Sequence, residues 1–223
     1  MITIDQQQKL LLNVARRLTK KITVYAIGGT AMMFLGFKEA TLDIALVFEN
    51  EKDRAIFKEA VKSLGYGGMD ALKVYGAKKN IPEMFKLNDE RFDLFVIEVV
   101  DFIFSENMQK RAEQIHQFET NLILKIANPH DIILMKCATD RVKDKDDARK
   151  IINSTKINWD IVIDEAKKQI ELGKDRAAFD LACFLEDLKK MMGVNIPPET
   201  MEKLFGLVER QVKEKKEKFR KRS

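Results

Sequence analysis

Two cysteines, two histidines, four prolines and one tryptophan are all that 223 residues hold of those types, and each scarcity removes a class of protein. Cys137 and Cys183 lie in stretches that read as helices. Two buried free thiols in a reducing, cytoplasmic compartment are therefore expected, and a disulfide framework is not. With only His116 and His130 beside them, no Cys/His cluster has zinc-ligand spacing. The apolar runs are far shorter than a membrane span, so no membrane association is expected. The start, Met1-Ile2-Thr3-Ile4-Asp5-Gln6, lacks the basic-then-apolar layout of a signal peptide.

Hydrophobic residues make up 45% of the chain and charged residues 34%, enough for a real core in a helix-dominated protein. The net charge of +5 is local. Lys213 to Ser223 carries seven Lys/Arg against two Glu, so the rest of the chain is neutral. Such a tail can grip RNA phosphates. The interspersed Glu214 and Glu217 favour a solvated helix end whose cations suit the dipole.

Ile22 to Ile27 reads as a strand, Gly28-Gly29 as a turn, 29–36 as a short helix and 42–48 as a second strand that starts with Asp43. Residues 4–20 and 51–64 have helical apolar spacing, and Gly65-Tyr66-Gly67-Gly68 reads as a C-cap and loop. The stretch 71–85 is ambiguous, with two short strands around residues 76–80 as one reading. Arg91 to Val99 is a clear strand that places Asp93, Phe95 and Ile97 on one face. A hairpin is expected over 113–127 and helices over 129–139, 146–153, 159–172, 175–192 and 198–221. Phe179, Phe184, Phe205 and Met191-Met192 read as core. The domain reading is an α/β core over 1–128 and a helical region over 129–223.

Backbone N–H groups after a glycine turn can hold a phosphate, and Gly28 and Gly29 let it approach closely, with the Thr30 hydroxyl adding a hydrogen bond. Phosphoryl transfer by two metals needs carboxylates that hold the ions about 3.5–4 Å apart. Two Asp residues at i and i+2 on one strand serve this, with a third on a neighbouring strand. Asp43 and Asp93 fit the first and third roles, and Ala45 cannot fill the second.

The stretch Ile27-Gly28-Gly29-Thr30-Ala31 to Thr41-Leu42-Asp43-Ile44-Ala45-Leu46-Val47 resembles the nucleotidyltransferase superfamily signature, and Arg91-Phe92-Asp93-Leu94-Phe95 resembles its third-carboxylate strand. Pro129 to Lys136, followed by Arg141 to Asp147, resembles the later motifs of small prokaryotic nucleotidyltransferase-fold proteins related to the AbiEii toxins. The resemblance covers roughly residues 20 to 155. It implies an α+β fold, a nucleotidyltransferase-like mixed sheet flanked by helices with a helical C-terminal part. It implies transfer of a nucleoside monophosphate from an NTP, with Mg²⁺ or Mn²⁺, to a hydroxyl on RNA, protein or a small molecule. On this reading Gly28, Gly29 and Thr30 bind the triphosphate. Asp43 and Asp93 are catalytic and hold metal, Lys136 neutralises phosphate charge, and Asp144 or Asp147 organises it. An ion pair that locks two helices is the structural alternative for Lys136 and Asp144.

Ala45 departs from the pattern. The protein is then a degenerate member, or another carboxylate such as Glu49 or Asp70 moves in, or position 45 carries an inactivating replacement. The alternative function is a non-catalytic nucleotide-binding or toxin–antitoxin-type interaction module with a protein partner.

Overall fold

The computed structural model describes residues 1–139 and 141–220. In chain order the first elements are β1 (Ile2–Thr3), α1 (Ile4–Ala15), β2 (Ile22–Ala26), α2 (Gly28–Phe34), β3 (Ala40–Thr41), β4 (Ile44–Phe48) and α3 (Glu51–Ser63). There follow β5 (Gly67–Met69), α4 (Leu72–Tyr75), β6 (Glu83–Leu87), β7 (Glu90–Val96), β8 (Glu98–Val99), β9 (Phe102–Ile103), α5 (Glu106–Arg111), β10 (Ile115–Phe118) and β11 (Leu122–Ile126). From residue 129 on, the described elements are all helices: α6 (Pro129–Lys136), α7 (Val142–Ser154), α8 (Trp159–Glu171), α9 (Ala177–Met192) and α10 (Pro198–Arg220).

The main sheet runs β10-β11-β2-β4-β7-β6-β5. The pairs β11/β2 and β4/β7 are parallel and the other neighbours antiparallel. This is an α+β fold, a mixed sheet flanked by helices.

The β4/β7 ladder decides where the site lies. Ile44, Leu46 and Phe48 stand opposite Phe92, Leu94 and Val96 on one face, while Ala45 and Val47 stand opposite Asp93 and Phe95 on the other. Helix α3 covers the first face. Its Phe57 ring lies 5.3 Å from Phe48 and 5.9 Å from Phe92, both edge-on. The second face carries the buried Val47 and Phe95, and beside Ala45 and Phe95 it opens onto a cleft.

Helix starts follow the local sequence. Asn50, Ser105 and Asn128 each accept a backbone N–H at the start of α3, α5 and α6, and Pro129 sits where its missing N–H costs nothing.

Several elements differ from the sequence reading. The stretch 71–85 holds a four-residue helix, α4, which Asp70 opens by accepting the Leu72 N–H at 3.0 Å, and then strand β6. Gly67–Met69 is an edge strand on β6, where the ladder supplies partners that no local pattern announces. Helix α7 starts at Val142, four residues earlier than expected, because the charges in its first turns are paired. Helix α1 ends at Ala15. Phe179, Phe205 and Met191 are exposed, since the buried stripe of α9 follows Leu181, Phe184, Leu185 and Leu188. Arg176 instead lies over the Phe179 ring. Cys183 is exposed and Cys137 partly buried. No described helix is long and apolar enough to cross a membrane. The expected basic tail falls partly outside the described residues.

A buried polar network joins α5, α6 and α8 to the sheet edge. Arg111 makes two bonds to Asp131, at 2.6 and 3.1 Å, and also reaches Glu165. Ser105 and Gln169 donate to Glu165 at 2.8 and 3.0 Å. Burial pushes the Asp131 carboxyl up to about 6, Arg111 pulls against that, and Glu165 adds to it. A carboxyl raised in the folded state stabilises most below its unfolded pKa, and that contribution is lost as pH rises through about 6. The stability advantage of the native chain over Asp131→Asn is therefore expected to shrink by about 1 kcal/mol between pH 5 and pH 7. Urea unfolding of both proteins at the two pH values measures it, and an advantage that grows with pH contradicts it.

Candidate functional site

The turn after β2 opens the site. Gly28 has φ +54°, a left-handed conformation that suits glycine. Ile27 occupies the N-cap of α2 and offers no side-chain bond to the leading N–H groups. Gly29 answers a different need: a Cβ there would overlap Thr41 Oγ1, so glycine is required by the close approach of β3. Thr30 does not face the cleft. Its hydroxyl accepts the Ala45 N–H at 2.8 Å and donates to the Asp43 carbonyl at 3.3 Å. It ties the turn to β4 and has no hydrogen to spare for a phosphate.

Asp43 stands just ahead of β4, and Asp93 lies across the ladder in β7. The structure brings these two together, but through Arg91. The guanidinium donates from Nε to Asp93 Oδ1 at 2.8 Å and from Nη2 to Asp93 Oδ2 at 3.1 Å. The same Nη2 reaches Asp43 Oδ2. Tyr75, brought over by α4, donates to Asp93 Oδ2 at 2.7 Å. Asp93 is 0% exposed and stands behind the cleft wall, while Asp43 and Ala45 line it.

Burial pushes the Asp93 carboxyl upward and the neighbouring Asp43 adds to this, against Arg91 and Tyr75. Burial also works against the Arg91 charge, but Asp93 and Asp43 outweigh it and its pKa is raised. Ala45, 9% exposed, occupies the place of the missing carboxylate. Neither substitute moves in. Glu49 accepts the Tyr25 hydroxyl at 2.8 Å, and Asp70 caps α4.

The opposite wall comes from α6 and α7. Lys136 donates to Asp144 Oδ1 at 2.7 Å and to Asp147 Oδ2 at 2.6 Å. Lys38, from the loop after α2, reaches both Asp147 oxygens at 2.7 and 3.0 Å. Asp144 is also held by Thr139 and by Arg141 at 2.7 Å. Burial alone would raise both Asp144 and Asp147; Lys136 with its neighbours outweighs it and holds both below the usual carboxylate range. Lys136 is thus locked between helices α6 and α7.

Lys143 differs. It lines the same cleft, and among the described residues it has no ion-pair partner. The residue is exposed, but partial desolvation of its ammonium in the cleft, with Arg141, holds it below the usual lysine range, while Asp43 and Asp144 pull the other way. The walls carry Lys38, Lys136, Arg141 and Lys143 against Asp43, Asp144 and Asp147, a surplus of one cation. The space between them is narrow, with about 100 Å³ open to the centres of water molecules.

Nucleotidyl transfer in general uses an NTP and divalent metal, so the donor set has to be tested against that need. It does not fit a two-metal centre. Two carboxylates are already bridged by one guanidinium, and a methyl group stands where a third belongs. Among the described residues no three His, Cys, Asp or Glu side chains are grouped to hold an ion.

Sequence reasoning missed Lys38, Tyr75, Arg91 and Lys143. Only Arg91 left a signal: it lies two residues from Asp93 on a strand, hence on the same face, with opposite charge.

No curated protein matches the chain. Among solved structures it is similar to ANT(2")-Ia in complex with adenylyl-2"-tobramycin, with a TM-score of 0.45 and 16% identity over 81% of this chain and 97% of that one. The model of the family described as "Nucleotidyltransferase of unknown function (DUF6036)" matches residues 1–192, so the chain belongs to this nucleotidyltransferase family.

Proposed function

We propose that the cleft is a nucleoside-triphosphate site in which the transfer reaction of the family has been largely lost. The single observation that carries this reading is Ala45, set directly opposite Asp93 and lining the cleft beside Asp43. A two-metal mechanism needs the carboxylate that this position lacks. The cleft otherwise keeps what an anionic ligand wants: a glycine turn on one wall, a surplus cation, and Lys143 free of ion pairs among the described residues. The Lys136 and Asp144–Asp147 motifs support an AbiEii-like branch of the family, in which a partner protein or RNA would meet the same cleft.

Lys143 then meets the phosphates. It is exposed and holds no carboxylate, so Lys143→Glu leaves the fold intact. That change puts a third negative group near Asp43 and Asp144, and it is expected to weaken NTP binding by at least about tenfold, or about 1.4 kcal/mol. Equilibrium dialysis with each labelled NTP measures this. If none of the four binds saturably, or if Lys143→Glu binds as well as the native chain, the site is not a triphosphate site. Efficient incorporation of label into RNA or protein by the native chain would overturn the loss of transfer.

A further inference from the structure

We propose that the Arg91 guanidinium is the resident cation of the carboxylate site, filling the place between Asp43 and Asp93 that nucleotidyl transfer gives to a divalent ion. The proposal shares its location with the nucleotide reading but concerns the empty protein, and its test uses no nucleotide.

The geometry is that of a clamp. Arg91 and Asp93 are two residues apart in β7, so both side chains leave the same face of the sheet. Nε and Nη2 hold the two oxygens of Asp93 at 2.8 and 3.1 Å, and Nη2 also bonds Asp43. One planar group therefore spans carboxylates from two regions of the chain, as a bridging ion would. A lysine, with its point charge, has no such fork. The charge left over is softened by two hydroxyls: Tyr75 donates to Asp93 at 2.7 Å and Thr41 to Asp43 at 3.4 Å.

An entering ion would have to expel this group. The Arg91 side chain is 16% exposed and that of Asp93 is 0% exposed, so the guanidinium has little room to withdraw while its partner stays covered. In exchange the ion would gain at most two protein carboxylates, because position 45 supplies none. Mg²⁺ holds most of its water and gains little from a site already neutralised by charge-assisted hydrogen bonds. Arg91 and Ala45 thus act in the same direction. One removes a ligand, and the other occupies the remaining two.

The test is Mn²⁺ binding to nucleotide-free protein, read by the loss of the free-ion EPR signal, for the native chain and Arg91→Ala. The native chain is expected to show no saturable binding up to millimolar Mn²⁺, and its melting temperature should not move with Mn²⁺ or chelator. Arg91→Ala should melt lower and bind Mn²⁺ at least tenfold more tightly, with its melting temperature partly restored by the ion. Saturable binding by the native chain that Asp43→Asn abolishes would overturn the proposal. So would a folded Arg91→Ala that gains no affinity.

Should Arg91→Ala fail to fold, the native chain still decides. The Arg91 Nε–H resonance should be protected from exchange and stay sharp as Mn²⁺ is added. Broadening of that resonance at sub-millimolar ion would sink the idea.

Discussion

Lys136→Met is expected to lower the stability of the protein by about 3 kcal/mol, the low end of what breaking a buried ion pair costs. The Lys136 side chain is 10% exposed, and its ammonium bonds Asp144 at 2.7 Å and Asp147 at 2.6 Å. Methionine fills much of the same volume, so packing is kept and charge is lost. Both carboxylates are buried and neither can turn to water. Each keeps one cation, Arg141 for Asp144 and Lys38 for Asp147, which is why the loss stays at the low end.

For a protein of this size the drop corresponds to roughly 6–12 °C in melting temperature. The sign of its pH dependence follows from the depressed pKa of both acids. Their stabilisation is present above the ordinary carboxylate pKa and is lost as pH falls through the depressed folded values. The gap between native and variant should therefore narrow below about pH 4. Urea unfolding at pH 7 and pH 3.5 checks both points, and a gap under about 1 kcal/mol at pH 7 would make the lysine a bystander.

The second large effect is expected from Ala45→Asp. A carboxylate there stands one strand spacing from Asp93, about 4.8 Å between paired backbones, and beside Asp43. Three carboxylates would then share the single charge of Arg91 in a site with little water. Like charges this close oppose one another, and a loss of about 2–4 kcal/mol in stability is expected at pH 7. Acidification should recover part of it, since one of the three can then hold a proton. Mn²⁺ should recover part as well, which is not expected for the native chain. Thermal melting with ion and with chelator separates these effects. A variant that melts like the native chain under every condition would mean that position 45 does not face its neighbours as the ladder places it.

The parts of the fold that were legible in the sequence are those with a continuous apolar run or a period. Strand β4 is buried throughout and β2 and β7 nearly so, β11 buries alternate residues, and α3 buries Phe57, Ala60 and Val61 at helical spacing. The chain also showed Asp43 and Asp93 as candidates, because a carboxylate among apolar strand residues needs a reason. Tyr75 was out of reach, since a four-residue helix has no period and its role depends on where α4 folds over β7. Lys38 and Asp147 lie 109 positions apart, and nothing local links them. Thr30 was legible as a hydroxyl near a phosphate turn but not as one already bonded twice. Arg91 could have been found from its spacing to Asp93. A strand residue of opposite charge at i+2 is a partner before it is anything else.

Thr30 carries one more consequence. A single hydroxyl joins the first turn of α2 to the carbonyl of Asp43 and to the N–H of Ala45. Gly28, Asp43 and Ala45 therefore belong to one mechanical block and cannot drift apart while that bond holds. Any change in the width of the cleft falls between this block and α7, where the half-buried Lys38 is fastened to Asp147. That fastening is shielded from dissolved salt, because the Asp147 side chain is only 4% exposed and screening acts weakly on a partly buried pair. The width of the cleft is then held by a contact that ionic strength reaches poorly.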